Sequence, residues 1–262
     1  MTPRLVLSID FDGTSYEEDA DPPVCGELPP LLQAWHDQGA AWVVNTGRSL
    51  NHTLEGLVRG RFGVVPDFIV TRESEIQVRN PVGRWVGFGD WNETGKREQR
   101  RLFRRARSAL KEIRKFVERD TLASFLEIAG ESPGIVASNL DEMERICAFV
   151  DPLVASVPDL RYERNSIYLR FSHAGFTKGS TLAHLAATLG LPREAVFAAG
   201  DNFNDLTMLD PAVAGHTACP GNALPEVRQA VQAAGGFCAP GHASTGTAQA
   251  LRWLGLRTRP GG

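Results

Sequence analysis

The segment from Arg4 to Thr14 constrains the chain most. Leu5, Val6, Leu7 and Ile9 form an almost unbroken apolar run that stops at two carboxylates, Asp10 and Asp12. A strand without polar alternation is covered on both faces, as in a parallel sheet layered between helices. The run therefore predicts a central strand of an open α/β sheet. Ligands of such sheets bind beyond the carboxyl ends of the strands, where Asp10 and Asp12 fall. Alternate residues of an extended chain point to one side, so both carboxylates face one pocket if extension persists past Ile9. Gly13 then lets the backbone turn away or approach a ligand. An ordinary D-x-D-G turn is the competing reading, and other strand ends must decide between the two.

Those ends are also polar. A helix with Leu31, Leu32 and Trp35 on one face closes at Gly39, and Ala40 to Val44 forms a second buried strand ending in N-T-G-R-S, Asn45 to Ser49. A hydroxyl and free backbone N–H groups ahead of a helix make an anion site, although Thr46 or Ser49 serves equally as a helix cap. Asp67 to Val70 is a third short strand. After Gly175, Lys178 opens a helix with Leu182, Leu185, Ala186 and Leu189 on its apolar face, and Ala195 to Ala199 is a fourth strand ending in G-D-N-F-N-D. A strand (Val213 to Thr217), a helix (Leu224 to Ala234), a strand (Gly236 to Ala239) and a helix (Ser244 to Leu254) complete the alternation.

The stretch between these halves differs. A basic helix from about Thr94 to Arg119 carries an apolar stripe of Leu102, Phe103, Ala106, Leu110, Ile113 and Val117. Hairpin strands Ser124 to Ala129 and Gly134 to Ser138 follow, then a helix near Leu140 capped by Asn139, with Glu142 completing its first turn. Strands Leu160 to Tyr162 and Ser166 to Phe171 flank a turn at Arg164-Asn165. The fold class is α/β, a Rossmann-like parallel sheet in two parts, 1–79 and 175–262, around an inserted α+β unit, 80–174.

Asp10, Asp12 and Asp201, placed at two strand ends, concentrate like charge that needs a cation. Oxygen ligands without Cys or His point to Mg²⁺, which shares its shell with phosphate. Lys178 and Thr46 are suited to hold a phosphoryl group. An Asp can attack phosphorus, and a carboxyl two residues away can exchange protons with the leaving group and water.

In order, D-F-D-G-T, N-T-G-R, T-K-G and G-D-N-F-N-D resemble the haloacid dehalogenase superfamily of phosphatases, and the position of the insertion resembles the C2 caps of its Cof-like branch, which includes sucrose-phosphate phosphatase. The resemblance implies Asp10 as nucleophile forming an aspartyl phosphate and Asp12 as general acid and base. It implies Thr46, Gly47, Lys178 and Asn204 around the phosphoryl group, and Mg²⁺ on Asp10, the backbone carbonyl of Asp12, and Asp201. Asp205 would act through a metal-bound water or by orienting Lys178. The implied activity is hydrolysis of a small phosphorylated metabolite, a sugar phosphate. A phosphomutase using the same aspartyl phosphate is an alternative, and so is an inactive scaffold that binds nucleic acid through the basic helix, residues 96–119.

The remaining signals exclude more than they assign. Four dispersed cysteines, Cys25, Cys147, Cys219 and Cys238, lack zinc or disulfide spacing. No apolar run reaches a membrane span and no signal peptide is visible, so a cytoplasmic protein is expected. F-T-K-G-S-T lacks the G-x-x-x-x-G-K-[ST] order of a nucleotide loop. Arg48 reads equally as a phosphate ligand or a surface ion-pair partner, and His173 as a substrate contact or a structural residue. Oligomeric state is not written in the sequence.

Overall fold

The computed structural model describes residues 3–128 and 132–258. The chain begins β1 (Leu5–Ile9), α1 (Leu28–Asp37), β2 (Ala40–Asn45), α2 (Leu50–Arg59), β3 (Phe68–Thr71), β4 (Glu75–Arg79) and β5 (Trp85–Gly87). Next come α3 (Trp91–Arg105), α4 (Arg107–Asp120), β6 (Ser124–Leu126), β7 (Gly134–Val136), α5 (Leu140–Ala155), β8 (Leu160–Asn165) and β9 (Tyr168–His173). It ends with α6 (Lys178–Thr188), β10 (Val196–Ala199), β11 (His216–Cys219), α7 (Pro225–Ala233), β12 (Phe237–Cys238) and α8 (Ala243–Arg257). Contacts divide it into a larger unit, Met1–Asn92 with Thr177–Gly262, and a smaller one, Glu93–Phe176.

In the larger unit the sheet order is β12-β11-β10-β1-β2-β3-β4-β5, parallel from β12 to β3 and antiparallel at β4 and β5. β1 is central and wholly buried. Leu5, Leu7 and Ile9 enter a core with Leu28, Trp42, Val44 and Leu251. Val6 enters the opposite core with Val43, Leu182, Val196 and Val227. Two covered faces explain the continuous apolar run, and each aliphatic side chain so buried contributes about 1.5–3 kcal/mol. The α/β class with a parallel-dominated sheet is therefore as expected.

Several boundaries differ from the sequence expectation. β4 and β5 are additional to the expected strands: β4 alternates polar and apolar residues around the buried Ile76, and β5 is only three residues long. β4 pairs with β3 and β5 with β4, which places residues 80–92 with the larger unit, so the division falls after Asn92 and Phe176 rather than at residues 80 and 174. The strand expected from Val213 is shifted to His216–Cys219, because Val213 and Ala214 close a turn onto the carbonyl of Asp210. The hairpin turns at Ser166, with φ of +53°, instead of Arg164-Asn165. Ala129, and Gly130 and Glu131 of the adjoining Gly-Glu-Ser-Pro-Gly turn, lie outside the described residues.

The smaller unit is an antiparallel sheet, β6-β7-β9-β8, covered by helices over a core that includes Leu102, Ile113, Ile135, Met143, Ile146 and Phe171. The expected basic helix is two helices joined at Ala106. Ala106 still donates to the Leu102 carbonyl (2.8 Å) and accepts from Leu110 N–H (2.9 Å), so the apolar period runs through the joint and conceals it. On its outer side Arg97, Arg101, Arg105 and Arg114 are ion-paired.

Asn139 caps α5 through Glu142 N–H (2.8 Å), while the Glu142 carboxylate accepts from the N–H groups of Leu122 (2.6 Å) and Ser138 (2.7 Å). These bonds hold its carboxyl below the ordinary value of 4.5. A lowered acid contributes stability that is present above pH 4.5 and lost as pH falls through the folded value. Glu142→Gln is therefore expected to be less stable at pH 7 and to show a shallower loss on acidification, measured by urea denaturation at pH 7 and pH 3. Equal acid dependence in both proteins would refute this role.

Candidate active site

Sheet register builds the site. Ile9 pairs with Val44 on one side and Ala199 on the other. The next residues on the three strands, Asp10, Asn45 and Gly200, therefore emerge together at the carboxyl edge, and Thr46 and Asp201 follow them. Gly13 turns the first loop at φ of +71°, and a Cβ there would lie 2.6 Å from Asp201 Oδ2. Only glycine meets both demands. Thr14 Oγ1 donates to Asp201 Oδ1 (2.8 Å), which joins the first loop to the last.

Lys178 stands at the first turn of α6, behind an N-cap in which Thr177 and Ser180 bond reciprocally. Its carbonyl accepts from Asn45 Nδ2 (3.2 Å). The side chain is 1% exposed, and Nζ donates to Asp10 Oδ1 (2.5 Å) and Asp205 Oδ1 (2.6 Å). Asp205 in turn accepts the N–H groups of Asp201 and Asn202, each at 2.9 Å on Oδ2. Both of its oxygens are thereby engaged, one on the ammonium and one on the loop.

The electrostatics are one-sided. Burial opposes the charge of Lys178, yet Asp10, Asp205 and Glu73 outweigh it and hold the ammonium well above the ordinary lysine range. Burial, then the Asp205 charge, raises the Asp10 carboxyl far above its usual range despite Lys178. Burial and Asp205 also push Asp201 up to about 6. Asp10, Asp201 and Asp205 each place an oxygen within 4.8 Å of the others. Three carboxylates against one ammonium leave an excess of negative charge, and an all-oxygen donor set fits a hard divalent cation. The residues present thus suit Mg²⁺, with Asp10 and Asp201 better placed than the fully engaged Asp205.

Asp12 stands apart from this cluster. Its side chain is 52% exposed, and Arg48 grips it through Nε (2.9 and 3.1 Å) and NH2 (2.6 Å). Arg48 also pairs with Glu18 (2.6 Å) and lies over the rings of Phe11 and Tyr16. The ion-pair alternative therefore describes Arg48 here. Thr46 is buried, its Oγ1 accepting from Arg48 N–H (3.1 Å). Asn204 Nδ2 donates to Glu73 Oε1 (3.0 Å), and Gly47 adjoins the same carboxylate. His173 accepts from Gly175 N–H (2.9 Å) and meets Phe176 edge-on, which is a structural arrangement.

Sequence reasoning missed two supports. Asn222 donates to the Gly13 carbonyl (2.7 Å) and accepts from Ala243 N–H (2.7 Å), tying the first loop to the start of α8. Its position in P-G-N-A carries no mark beyond that of a turn. Glu73 is the other, in a turn without a recognisable motif. Among the described residues, no helix is long and apolar enough to cross a membrane.

Comparison with known proteins finds similarity in sequence and in fold. The sequence pattern of haloacid dehalogenase-like hydrolases matches residues 89–240. A Haemophilus influenzae protein bearing the name "Putative phosphatase" is 36% identical over 107 residues, and the match spans only 40% of each chain. Among solved structures, the sucrose-phosphatase of Synechocystis sp. PCC6803 aligns over 97% of this chain and 98% of its own, with a TM-score of 0.69 and 15% identity. A HAD-superfamily phosphatase of Bacteroides thetaiotaomicron aligns over 97% and 96%, with a TM-score of 0.68 and 20% identity. A HAD subclass IIB sugar phosphatase covers 96% and 99%, with a TM-score of 0.66 and 16% identity. At these identities the solved structures speak to the fold.

Proposed function

We propose that this chain, which belongs to the haloacid dehalogenase-like hydrolase family, is a Mg²⁺-dependent phosphomonoesterase of the Cof-like branch acting on a sugar phosphate. The observation that carries the reading is Lys178 bridging Asp10 and Asp205 in a buried cluster with Asp201. A solvated surface has no need of such a group; a dianionic, metal-bound phosphoryl ester does.

In this reading Asp10 attacks phosphorus through the carboxylate oxygen that Lys178 leaves open. The bond from phosphorus to the leaving oxygen breaks, and that oxygen takes a proton from Asp12. Asp12 then removes a proton from water, which attacks the aspartyl phosphate at phosphorus and returns the Asp10 carboxylate. Lys178, Thr46, Gly47 and Asn204 hold phosphoryl oxygens, and Asp205 orients Lys178. Mg²⁺, held by Asp10, Asp201 and the Asp12 carbonyl, would neutralise charge on the transferring group. Both Asp12 oxygens accept from Arg48, so proton transfer requires Asp12 to turn away from that partner.

The smaller unit would act as a cap that selects the leaving group. On the helix-free face of its sheet, Arg161 Nε donates to Ser172 Oγ (3.1 Å), and Glu163 accepts from Ser172 (3.3 Å) and Arg170 (3.0 Å). Such mixed donors and acceptors match a polyhydroxylated ligand better than an apolar one. A phosphate-release screen over phosphorylated sugars, sugar alcohols, glycerates and nucleotides with Mg²⁺ tests the proposal. Sugar phosphates are expected to turn over at least about tenfold faster than nucleotides, a difference of about 1.4 kcal/mol, and chelation with EDTA is expected to abolish release. Turnover that survives EDTA would remove the metal from the reading, and release from no phosphomonoester would remove the activity.

A further inference from the structure

The turn between β3 and β4 is strained where glycine would be the easy choice. Arg72 and Glu73 have φ of +49° and +65°, the left-handed region that L side chains rarely adopt. The backbone gains a specific grip from it. Arg72 N–H donates to the Arg48 carbonyl (3.0 Å) and Glu73 N–H to the Thr46 carbonyl (2.9 Å), pinning the Thr46–Gly47–Arg48 loop on both sides of Gly47. Thr181 Oγ1 donates to the Glu73 carbonyl (3.2 Å), which ties the turn to the helix that carries Lys178.

A glycine at position 73 would keep all three of these bonds and remove the strain at that residue. The carboxylate must therefore have its own purpose. It is buried, 5% exposed, and Oε1 accepts from Asn204 Nδ2 (3.0 Å). A methyl group on Gly47 would lie 3.3 Å from the same oxygen, so the carboxylate rests against the Gly47 backbone. One side chain thus touches two separate segments assigned above to the phosphoryl group, and its charge reaches Lys178.

We propose that Glu73 is a positioning residue of the phosphate site, fixing the Asn204 amide against the Thr46–Gly47–Arg48 loop before substrate arrives. The inference rests on the phosphatase reading. A carboxylate only accepts, so it selects which edge of the Asn204 amide faces it. One N–H of Nδ2 is used on Glu73, and the second is left in a set direction for a phosphoryl oxygen. Without Glu73 the amide turns freely and that direction is lost.

Three variants separate positioning from folding and from charge, with Asn204→Ala as reference. Glu73→Gly relieves the left-handed backbone, so its melting temperature is expected to equal or exceed that of the wild type. Its KM is nevertheless expected to rise about tenfold, as is the Kd for inorganic phosphate by calorimetry with Mg²⁺ present, while kcat changes less than about threefold. Glu73→Gln keeps an acceptor and removes the negative charge, so its KM and phosphate Kd should lie at or below the wild-type values. The double variant Glu73→Gly/Asn204→Ala should bind phosphate no more weakly than Asn204→Ala alone. If Glu73→Gly binds phosphate as tightly as Glu73→Gln, or if the two losses add, the inference falls by itself. A wild-type enzyme that hydrolyses no phosphomonoester would instead overturn the underlying reading and this inference with it.

Discussion

Asp10→Asn is expected to lower kcat by about 10⁴-fold or more while leaving the protein at least as stable as the wild type. The first half follows from the assigned role, since an amide cannot supply the attacking oxygen. The second follows from electrostatics. Asp10 is buried beside Asp205 and Asp201, and its carboxyl is raised far above the usual range, so the ionised form costs the folded state. An isosteric amide keeps an oxygen for Lys178 Nζ, which lies 2.5 Å from Oδ1, and removes that cost. Losing activity without losing stability is the behaviour of a residue retained for chemistry. Rate assays with a sugar phosphate, paired with thermal melts, measure both parts. Turnover that persists in this variant would sink the assignment of the nucleophile.

The second large effect is expected at Lys178. Lys178→Met keeps a long unbranched side chain but strips Asp10 and Asp205 of their shared ammonium. Breaking a buried charge cluster by removing one partner costs about 3–5 kcal/mol, because the remaining charges stay desolvated. The penalty should depend on pH in a definite sense. Without the ammonium the Asp10 carboxyl rises still further, so the folded variant takes up protons more readily than the unfolded chain. Its stability deficit should therefore be largest near pH 8 and shrink as pH falls toward the ordinary aspartate value of 3.8. Urea denaturation at pH 8 and pH 5 reads this directly, and a deficit independent of pH would show that packing rather than charge is at stake. Turnover should be lost as well.

The strand ends were the most legible part of the chain. The run before Asp10 reads as a doubly covered strand because both of its faces pack, and Asp10 and Asp201 were legible as acids at two strand ends, whereas Asp205 entered only through the family resemblance. Other features left weaker traces. β4 does alternate, Glu75-Ile76-Gln77-Val78-Arg79, and that signal was passed over, whereas three-residue β5 is too short to show a period. Ala106 keeps the helical period while the helix is interrupted. Glu73 was invisible because its left-handed turn carries no glycine to mark it and its carboxylate belongs to no recognisable motif. Asp12 shows a different limit. Its spacing from Asp10 suggested a shared pocket, but a guanidinium more than thirty residues away captured its carboxylate.

The division of the chain into two units also sets an order of assembly. The smaller unit is one unbroken segment, Glu93–Phe176, so every contact in its own core is available once that segment has emerged during synthesis. The larger unit must wait, because β1 pairs with β10 about 190 residues later, and β11 and β12 come later still. Non-local parallel pairing of this kind is slow to form. Until β10 arrives, one edge of β1 remains open, with its apolar residues ready to pair with another chain. Placing Asp10 at the centre of the sheet gives it rigid neighbours on both sides, and it also makes that segment the one exposed longest before the fold closes.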